Sequence, residues 1–270
     1  MASLSGFARL AFGCTSPNHD AILDQFTRQA VPFSTAPGIR DEEALRLLVE
    51  ASGAGPEDTV LDVACGPGLV VAAFARACRH ATGIDLTLAM IERARALAGE
   101  RDLDNVTLTV GDVMPLPYDD GAFSIVVSRF AFHHFPDPRA VLCEMTRVCR
   151  PGGRVVVADA AASPDPARAA AFNRMEKLRD PSHVRALPLA ELTALFAGAG
   201  LGRPAVTRYA LPSDLDGLLS RSFPDPGDAG KVRALFRDSL ADDGLGLGAQ
   251  ERAGRIHFAY PIAILVAARA

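Results

Sequence analysis

The feature that most constrains this chain is a regular alternation, from residue 41 onward, of short apolar runs with stretches carrying apolar residues at helical spacing. Apolar runs of five or six residues suit strands buried on both faces, and the intervening pattern suits amphipathic helices. Repeated β-α alternation of this kind implies a parallel sheet with helices on both sides.

Asp41 can cap the first helix, with Glu42 and Glu43 in its first turn, Leu45, Leu48 and Val49 at helical spacing, and Gly53 just beyond. Strands are predicted over 60–64, 80–85, 106–110 and 124–128, and helices over 69–78 and 87–98, the latter turning Met90, Ile91, Ala94 and Leu97 inward. A helix over 138–149 groups Val141, Leu142, Met145 and Val148 on one face, and the turn Arg150-Pro151-Gly152-Gly153 leads into strand five over 154–159. After Asp159 the pattern predicts an inserted helix over 165–178, a crossover helix over 189–197, strand six over 205–211 and a closing strand over 256–267. Between those last strands, helices are expected over 214–222 and 227–240, separated by Pro224 and Pro226. The division expected is an N-terminal arm and lid (1–40), a core (41–212), a small helical cap over the substrate side (213–254) and a final core strand (255–270). Long insertions in compact domains are usually functional; a surface decoration or dimer contact is the alternative.

At 270 residues, 49% of them apolar, the chain can bury one sizeable core near the limit at which cores divide. Its 28 basic residues against 32 acidic ones remove the usual electrostatic drive toward nucleic acid. Cys14, Cys65, Cys78, Cys143 and Cys149 are odd in number and lack zinc-knuckle spacing, which fits a reducing cytoplasm. Residues 1–14 are mildly apolar but lack a basic leader and are interrupted by Arg9, so a helix or arm is expected there, with a lipoprotein signal the second reading. No run reaches the length of a membrane span.

In a doubly wound sheet, ligands lie beyond the carboxyl ends of the central strands. Three turns there carry chemistry. Asp62-Val63-Ala64-Cys65-Gly66-Pro67-Gly68 lets backbone approach a ligand closely at a helix N-terminus. Dinucleotide enzymes use a similar turn, but their third glycine is replaced here by Val71. Asp85, ending strand two, can accept both hydroxyls of a ribose. Asp112, followed by the backbone N–H of Val113, matches the donor-acceptor edge of an adenine. Each alone could be an ordinary loop carboxylate; their order at consecutive strand mouths points to one adenosine site.

On these motifs the chain resembles the class I S-adenosylmethionine-dependent methyltransferases, in the ubiquinone/menaquinone methyltransferase-like branch, over about residues 25–201. The resemblance implies a Rossmann-like doubly wound α/β sheet of seven strands in the order 3-2-1-4-5-7-6, strand seven antiparallel, with S-adenosylmethionine as cofactor. It implies that Ala64, Gly66 and Gly68 line the methionine part, Asp85 the ribose, Leu86 and Met90 the adenine face, and Asp112 with Val113 the adenine edge. Ser128 and Arg129 would lie near the sulfonium, and the segment with Phe26, Thr27 and Phe33 would form a lid.

Methyl transfer needs an aligned nucleophile, exclusion of water and, for a protonated acceptor, a base. His133 is the first candidate base and His134 the second, just beyond strand four. Alternatively one caps the next helix and the other packs among phenylalanines; adjacent residues diverge, so no metal pair is assigned. His183, Asp159, Phe172 and Met175 are candidate acceptor contacts, and Arg129 a candidate anchor for an acidic acceptor. Nucleic-acid amine methyltransferases would carry Asn or Asp, two prolines and an aromatic after strand four; Ser128-Arg129-Phe130-Ala131 stands there instead. A small-molecule acceptor is therefore expected, with neither nucleic acid nor membrane as partner and a homodimer left open. Two other readings remain: a methyltransferase-fold enzyme performing cyclisation or isomerisation, and a dinucleotide-dependent dehydrogenase.

Overall fold

The computed structural model describes residues 17–34, 38 and 40–270, with residues 17, 33 and 34 described through their backbone only. The expectations for residues 1–14, Cys14 included, and for the side chain of Phe33 lie outside the described residues. Among the described residues no helix is long and apolar enough to cross a membrane.

Strands β1 (Thr59–Val63), β2 (His80–Asp85), β3 (Val106–Val110), β4 (Phe123–Arg129), β5 (Cys149–Ala160), β6 (Ala205–Asp214) and β8 (Arg255–Ala268) form the sheet in the order β3-β2-β1-β4-β5-β8-β6. The first five run parallel, and β8 runs antiparallel between β5 and β6. Counting these seven strands in chain order, this is the expected arrangement.

An eighth strand was not foreseen: β7 (Gln250–Arg252) forms a hairpin with the start of β8. Its turn residues Ala253 and Gly254 both have positive φ, at 51° and 72°, the handedness that suits a two-residue hairpin. All three residues of β7 are exposed and polar, so no apolar alternation announced it. The Arg150-Pro151-Gly152-Gly153 turn also differs from expectation, since β5 begins at Cys149. β4 pairs Phe123 with Cys149 and resumes at Ile125 with Arg154, so residues 150–153 bulge from the ladder.

Period-two alternation splits the parallel strands between two cores. Leu61, Val63, Val126, Val155 and Val157 face α5 (Pro138–Val148) and α7 (Leu189–Gly198). Val60, Ile125, Val127, Val156 and Ala158 face α2 (Glu42–Ser52) and α3 (Leu69–Ala75), with Ile91 of α4 (Leu88–Glu100) joining them. Helix ends follow local chemistry. Asp41 accepts from the N–H groups of Glu43 and Ala44, and Asp137 and Asp165 do the same for α5 and α6 (Pro166–Arg179), each with proline next in line.

A third core sits apart from these. Phe172 and Met175 of α6 pack with Leu215 and Leu218 of α8 (Leu215–Ser220), Val232 and Phe236 of α9 (Asp228–Asp242), and Phe258 of β8. It places the inserted helices over the carboxyl end of β5. The remaining helix, α1 (Pro17–Ser34), lies against α4 and above the carboxyl ends of the central strands.

Candidate active site

The chain builds outward from β1 through β2 to β3, then returns to place β4 on the other side of β1. That reversal opens a crevice where ligands of doubly wound sheets bind. A cavity of about 350 Å³ lies there, within the range of about 300–1,000 Å³ usual for ligand pockets.

Its wall after β1 is made of backbone. Ala64 and Gly66 in that wall have φ of 58° and 52°, and Gly68, which begins α3 behind it, has φ of 80°. At Gly68 a Cβ would stand 2.7 Å from Cβ of Ala94, so α4 admits only glycine. At Gly66 a Cβ would meet nothing within 4 Å, because that position faces open space. The Gly66 N–H donates to Oδ2 of Asp85 at 2.8 Å and the Thr87 N–H to Oδ1 at 2.9 Å. Asp85 therefore ties the first turn to the second and keeps a lone pair on each oxygen. Burial pushes its carboxyl up, against the pull of those two N–H groups.

Asp62 lies deeper, 2% exposed, and neither carboxylate oxygen has a hydrogen-bond partner. Burial first, and the charge of Asp85 second, push its carboxyl well up; the Arg129 guanidinium opposes them. Such an orphaned acid is costly unless a positive group or donor reaches it. Leu86, Met90, Asp112 and Val113 line the far side of the cavity, and Asn18, His19, Ile22 and Phe26 of α1 cover it. His19 Nε2 stands 3.2 Å from Asp112 Oδ2, and Asn18 donates to the carbonyl of His134 at 2.7 Å.

A second cavity of about 140 Å³ shares Phe26, Phe130 and His134 with the first. Phe130 has φ of 59°, a conformation that costs a non-glycine residue about 1–3 kcal/mol and is typical of functional turns. It redirects the chain from β4 into the 3-10 turn Phe132–His134, which presents both histidines. The expectation that neighbouring histidines diverge fails here: a 3-10 turn rotates successive positions by about a third of a circle, yet the two side chains bend back toward each other. The rings of His133 and His134 are 4.3 Å apart, and His183 joins them at 5.5 Å from His133.

The three rings differ in chemistry. Nδ1 of His133 is 2.6 Å from Oδ1 of Asp159, whose Oδ2 accepts the His133 backbone N–H. A carboxylate only accepts, so Nδ1 carries the proton and the neutral ring keeps its lone pair on Nε2. Burial lowers the His133 pKa, but the charge and hydrogen bond of Asp159 outweigh it and the net shift is upward. Burial and the neighbouring His133 lower His134 to about 4. Its Nδ1 lies 3.1 Å from Ser182 Oγ, whose hydroxyl donates to Asp180. His183 is lowered to about 2, chiefly by burial.

Several predicted residues lie elsewhere, Asp62 and Gly68 among them, since neither lines a cavity. Ser128 is fully buried and its hydroxyl donates to the Val63 carbonyl, so it stitches β4 to β1 rather than facing a cavity. Thr27 is exposed and lines neither cavity, because its position on α1 turns away from the face bearing Phe26. Met175 is fully buried in the third core. Asp159 serves His133 instead of facing the second cavity, while Phe172 and His183 do line it. Arg129 lines the first cavity, not the second, with its guanidinium 4.2 Å from the Phe130 ring and hydrogen-bonded to Tyr209. Asn18, Ile22, Glu176, Arg179, Arg221 and Tyr260 were missed. For α1 a signal existed: Asn18, Ile22, Phe26 and Gln29 recur at helical spacing and face the two cavities.

Comparison with known proteins agrees with this architecture. A family model described as a methyltransferase domain matches residues 61–157. YcgJ of Bacillus subtilis (strain 168), described as an uncharacterized methyltransferase, is 32% identical over 81% of this chain and 86% of its own length. Its crystal structure superposes with a TM-score of 0.78 at 28% identity, covering 85% of this chain and 99% of that one. The ubiquinone/menaquinone biosynthesis C-methyltransferase UbiE of Bdellovibrio bacteriovorus is 34% identical over 53% of this chain and 63% of that protein. The 27-O-demethylrifamycin SV methyltransferase of Amycolatopsis mediterranei is 33% identical over 64% of this chain and 66% of that protein. The chain belongs to the class I S-adenosylmethionine-dependent methyltransferases.

Proposed function

We propose that this chain moves the methyl group of S-adenosylmethionine onto a small organic acceptor, with cofactor in the first cavity, acceptor in the second, and His133 as base. The observation that carries it is the meeting of two cavities across Phe26, Phe130 and His134. The relatives named for quinone and rifamycin methylation act on small molecules, and an acidic overall balance gives no drive toward nucleic acid.

The residues of the first cavity fit the cofactor. Gly66 leaves room beside the turn and Asp85 retains lone pairs for ribose hydroxyls, while Asp62, buried behind the lining, holds an orphaned carboxyl that would favour a cationic ligand. Ala64 and Gly68 shape the turn, Leu86 and Met90 offer an apolar face to adenine, and Asp112 with the Val113 N–H offers its edge. Arg129 would moderate the charge of Asp62, and Phe26 closes the space between the two ligands. When bound, the sulfonium supplies an activated methyl that needs no covalent help from the protein.

His133 then has one task, to receive the proton the acceptor loses. Asp159 holds the ring by its Nδ1–H, which leaves Nε2 as acceptor and stabilises the imidazolium after transfer. Helix α1 excludes water. It is tied down by Asn18 at His134 and by Gln25, which donates to the Phe223 carbonyl at 3.1 Å.

Incubation with methyl-tritiated S-adenosylmethionine and a panel of phenols, hydroxy acids and acidic carbon compounds tests this reading. We expect label in a product together with one S-adenosylhomocysteine per label. Conversion of an acceptor with neither would favour the non-methylating alternative.

A further inference from the structure

The acceptor cavity carries two arginines of opposite condition. Arg179 is fully committed: Nε and Nη2 donate to Glu176 Oε2 at 3.0 and 2.6 Å, and Nη1 to Ser222 Oγ. Glu176 is satisfied in turn by the Tyr260 hydroxyl at 2.8 Å. Arg221, half-buried on the same wall, makes no side-chain hydrogen bond or ion pair among the described residues. Its nearest acid by charge is Asp214, whose Oδ1 accepts from Arg255 and from the Gly217 N–H and which forms no ion pair with Arg221 within 4.0 Å. Burial and the like charge of Arg179 both work against the Arg221 guanidinium, and Asp214 only partly offsets them. A partly desolvated cation without a partner is unfavourable, so this wall is complete only with an anion on it.

A second group in the cavity is short of a partner. Asn173 Nδ2 donates to the carbonyls of Ala169 and Ala186, which fixes Oδ1 as the acceptor of the Ala186 N–H. The same Oδ1 lies 2.9 Å from His183 Nε2, so Nε2 must carry the proton. That leaves Nδ1 of His183 a bare lone pair, buried and without a hydrogen-bond partner, on a residue 1% exposed. With its pKa lowered to about 2, the ring stays neutral and can only accept there. Between these polar points the wall is apolar, formed by Phe172, Leu211 and Leu218.

We propose that the acceptor is a hydroxylated carboxylic acid, its carboxylate held by Arg221 and one hydroxyl donating to Nδ1 of His183, apart from the group that gives its proton to His133. One uncommitted guanidinium matches one negative charge. A phosphate monoester would bring a second charge beside Glu176 and Asp180, so the carboxylate is the better fit. The proposal rests on the second cavity being the acceptor site.

The test is calorimetry with protein saturated in S-adenosylhomocysteine and a panel built in matched sets: 3- and 4-hydroxybenzoate, the corresponding primary amides, benzoate, and 4-hydroxyphenyl phosphate. A parallel set uses 2-hydroxy-4-methylpentanoate and its amide. We expect at least one hydroxy acid to bind more than tenfold tighter than its amide, and tighter than its deoxy or phosphate analogue. Arg221→Gln should erase the acid-over-amide gap while Arg221→Lys keeps part of it, both variants retaining S-adenosylhomocysteine. Equal binding of acid and amide, a gap that survives Arg221→Gln, preference for the phosphate, or no hydroxy acid bound by protein that retains S-adenosylhomocysteine would each overturn the proposal. Failure of the folded wild-type protein to retain S-adenosylhomocysteine would instead bring down the cofactor reading.

Discussion

The two cavities meet at three residues yet are made by different means. The first is mainly a product of backbone: two strand ends, a turn of positive φ and two N–H groups clasping Asp85. The second is a product of side chains brought from far apart, with His133 after β4, Asp159 on β5, His183 after α6, Arg221 after α8 and Tyr260 on β8. A turn made of backbone accepts any ligand offering a common grip, whereas a wall of titratable side chains selects a particular chemistry. On the proposed assignment, one chain separates a generic function from a specific one.

The strongest way to test that separation is to replace His133, the proposed base. His133→Asn should lower kcat by about 10²- to 10⁴-fold with any acceptor turned over, while S-adenosylhomocysteine affinity stays within twofold of wild type. Equal loss of both would merge the two sites into one. The pH profile sharpens the point: because Asp159 raises the His133 pKa, kcat/KM should fall on acidification from a midpoint above 6.5. In Asp159→Asn the midpoint should move down, since the carboxylate charge is what raised it.

Next in size is the reverse experiment on the other cavity. Asp85→Ala should weaken S-adenosylhomocysteine by more than about tenfold, about 1.4 kcal/mol, in calorimetry, with the fold retained by circular dichroism. Unchanged affinity would remove the ribose role.

The smallest effect is on stability. His134 and His183 stay neutral in the folded protein, with values of about 4 and about 2, while in the unfolded chain they titrate near 6.5. Below pH 6.5 the unfolded state takes up protons the folded state refuses, so stability falls with acidification toward those values. His133 has the opposite sign: its contribution is fully present below 6.5 and is lost as pH rises through its raised folded value. Melting should therefore drop by several degrees between pH 7 and pH 5, and the slope should flatten in His183→Gln.

The same contrast explains what could be read in advance. β2 and β3 match their predicted ranges residue for residue, and β1, β4 and α5 differ at their ends by a residue or so, because apolar periodicity and capping residues are local signals. The turn residues of the first cavity were legible for the same reason, since glycine and aspartate at a strand mouth act where they stand. The α1 cover was only half seen, its face beginning at Asn18 rather than at Gln25. The second cavity was not legible beyond single residues. No local pattern says that Asp159 will reach across one strand to His133, or that the Asp180-Pro181-Ser182-His183 turn will bring its histidine beside the other two. Arg129, expected near the sulfonium, does line the first cavity, but that its guanidinium would lie over the Phe130 ring and bond Tyr209 on β6 had no local signal.

The claim beneath all of this is that the glycine turn, Asp62 and Asp85 together hold an adenosyl cation. Equilibrium dialysis of folded wild-type protein against radiolabelled S-adenosylmethionine addresses it most directly. One equivalent retained per chain, displaced by S-adenosylhomocysteine and not by NADH, is the predicted result; no retention by protein that melts cooperatively would contradict it.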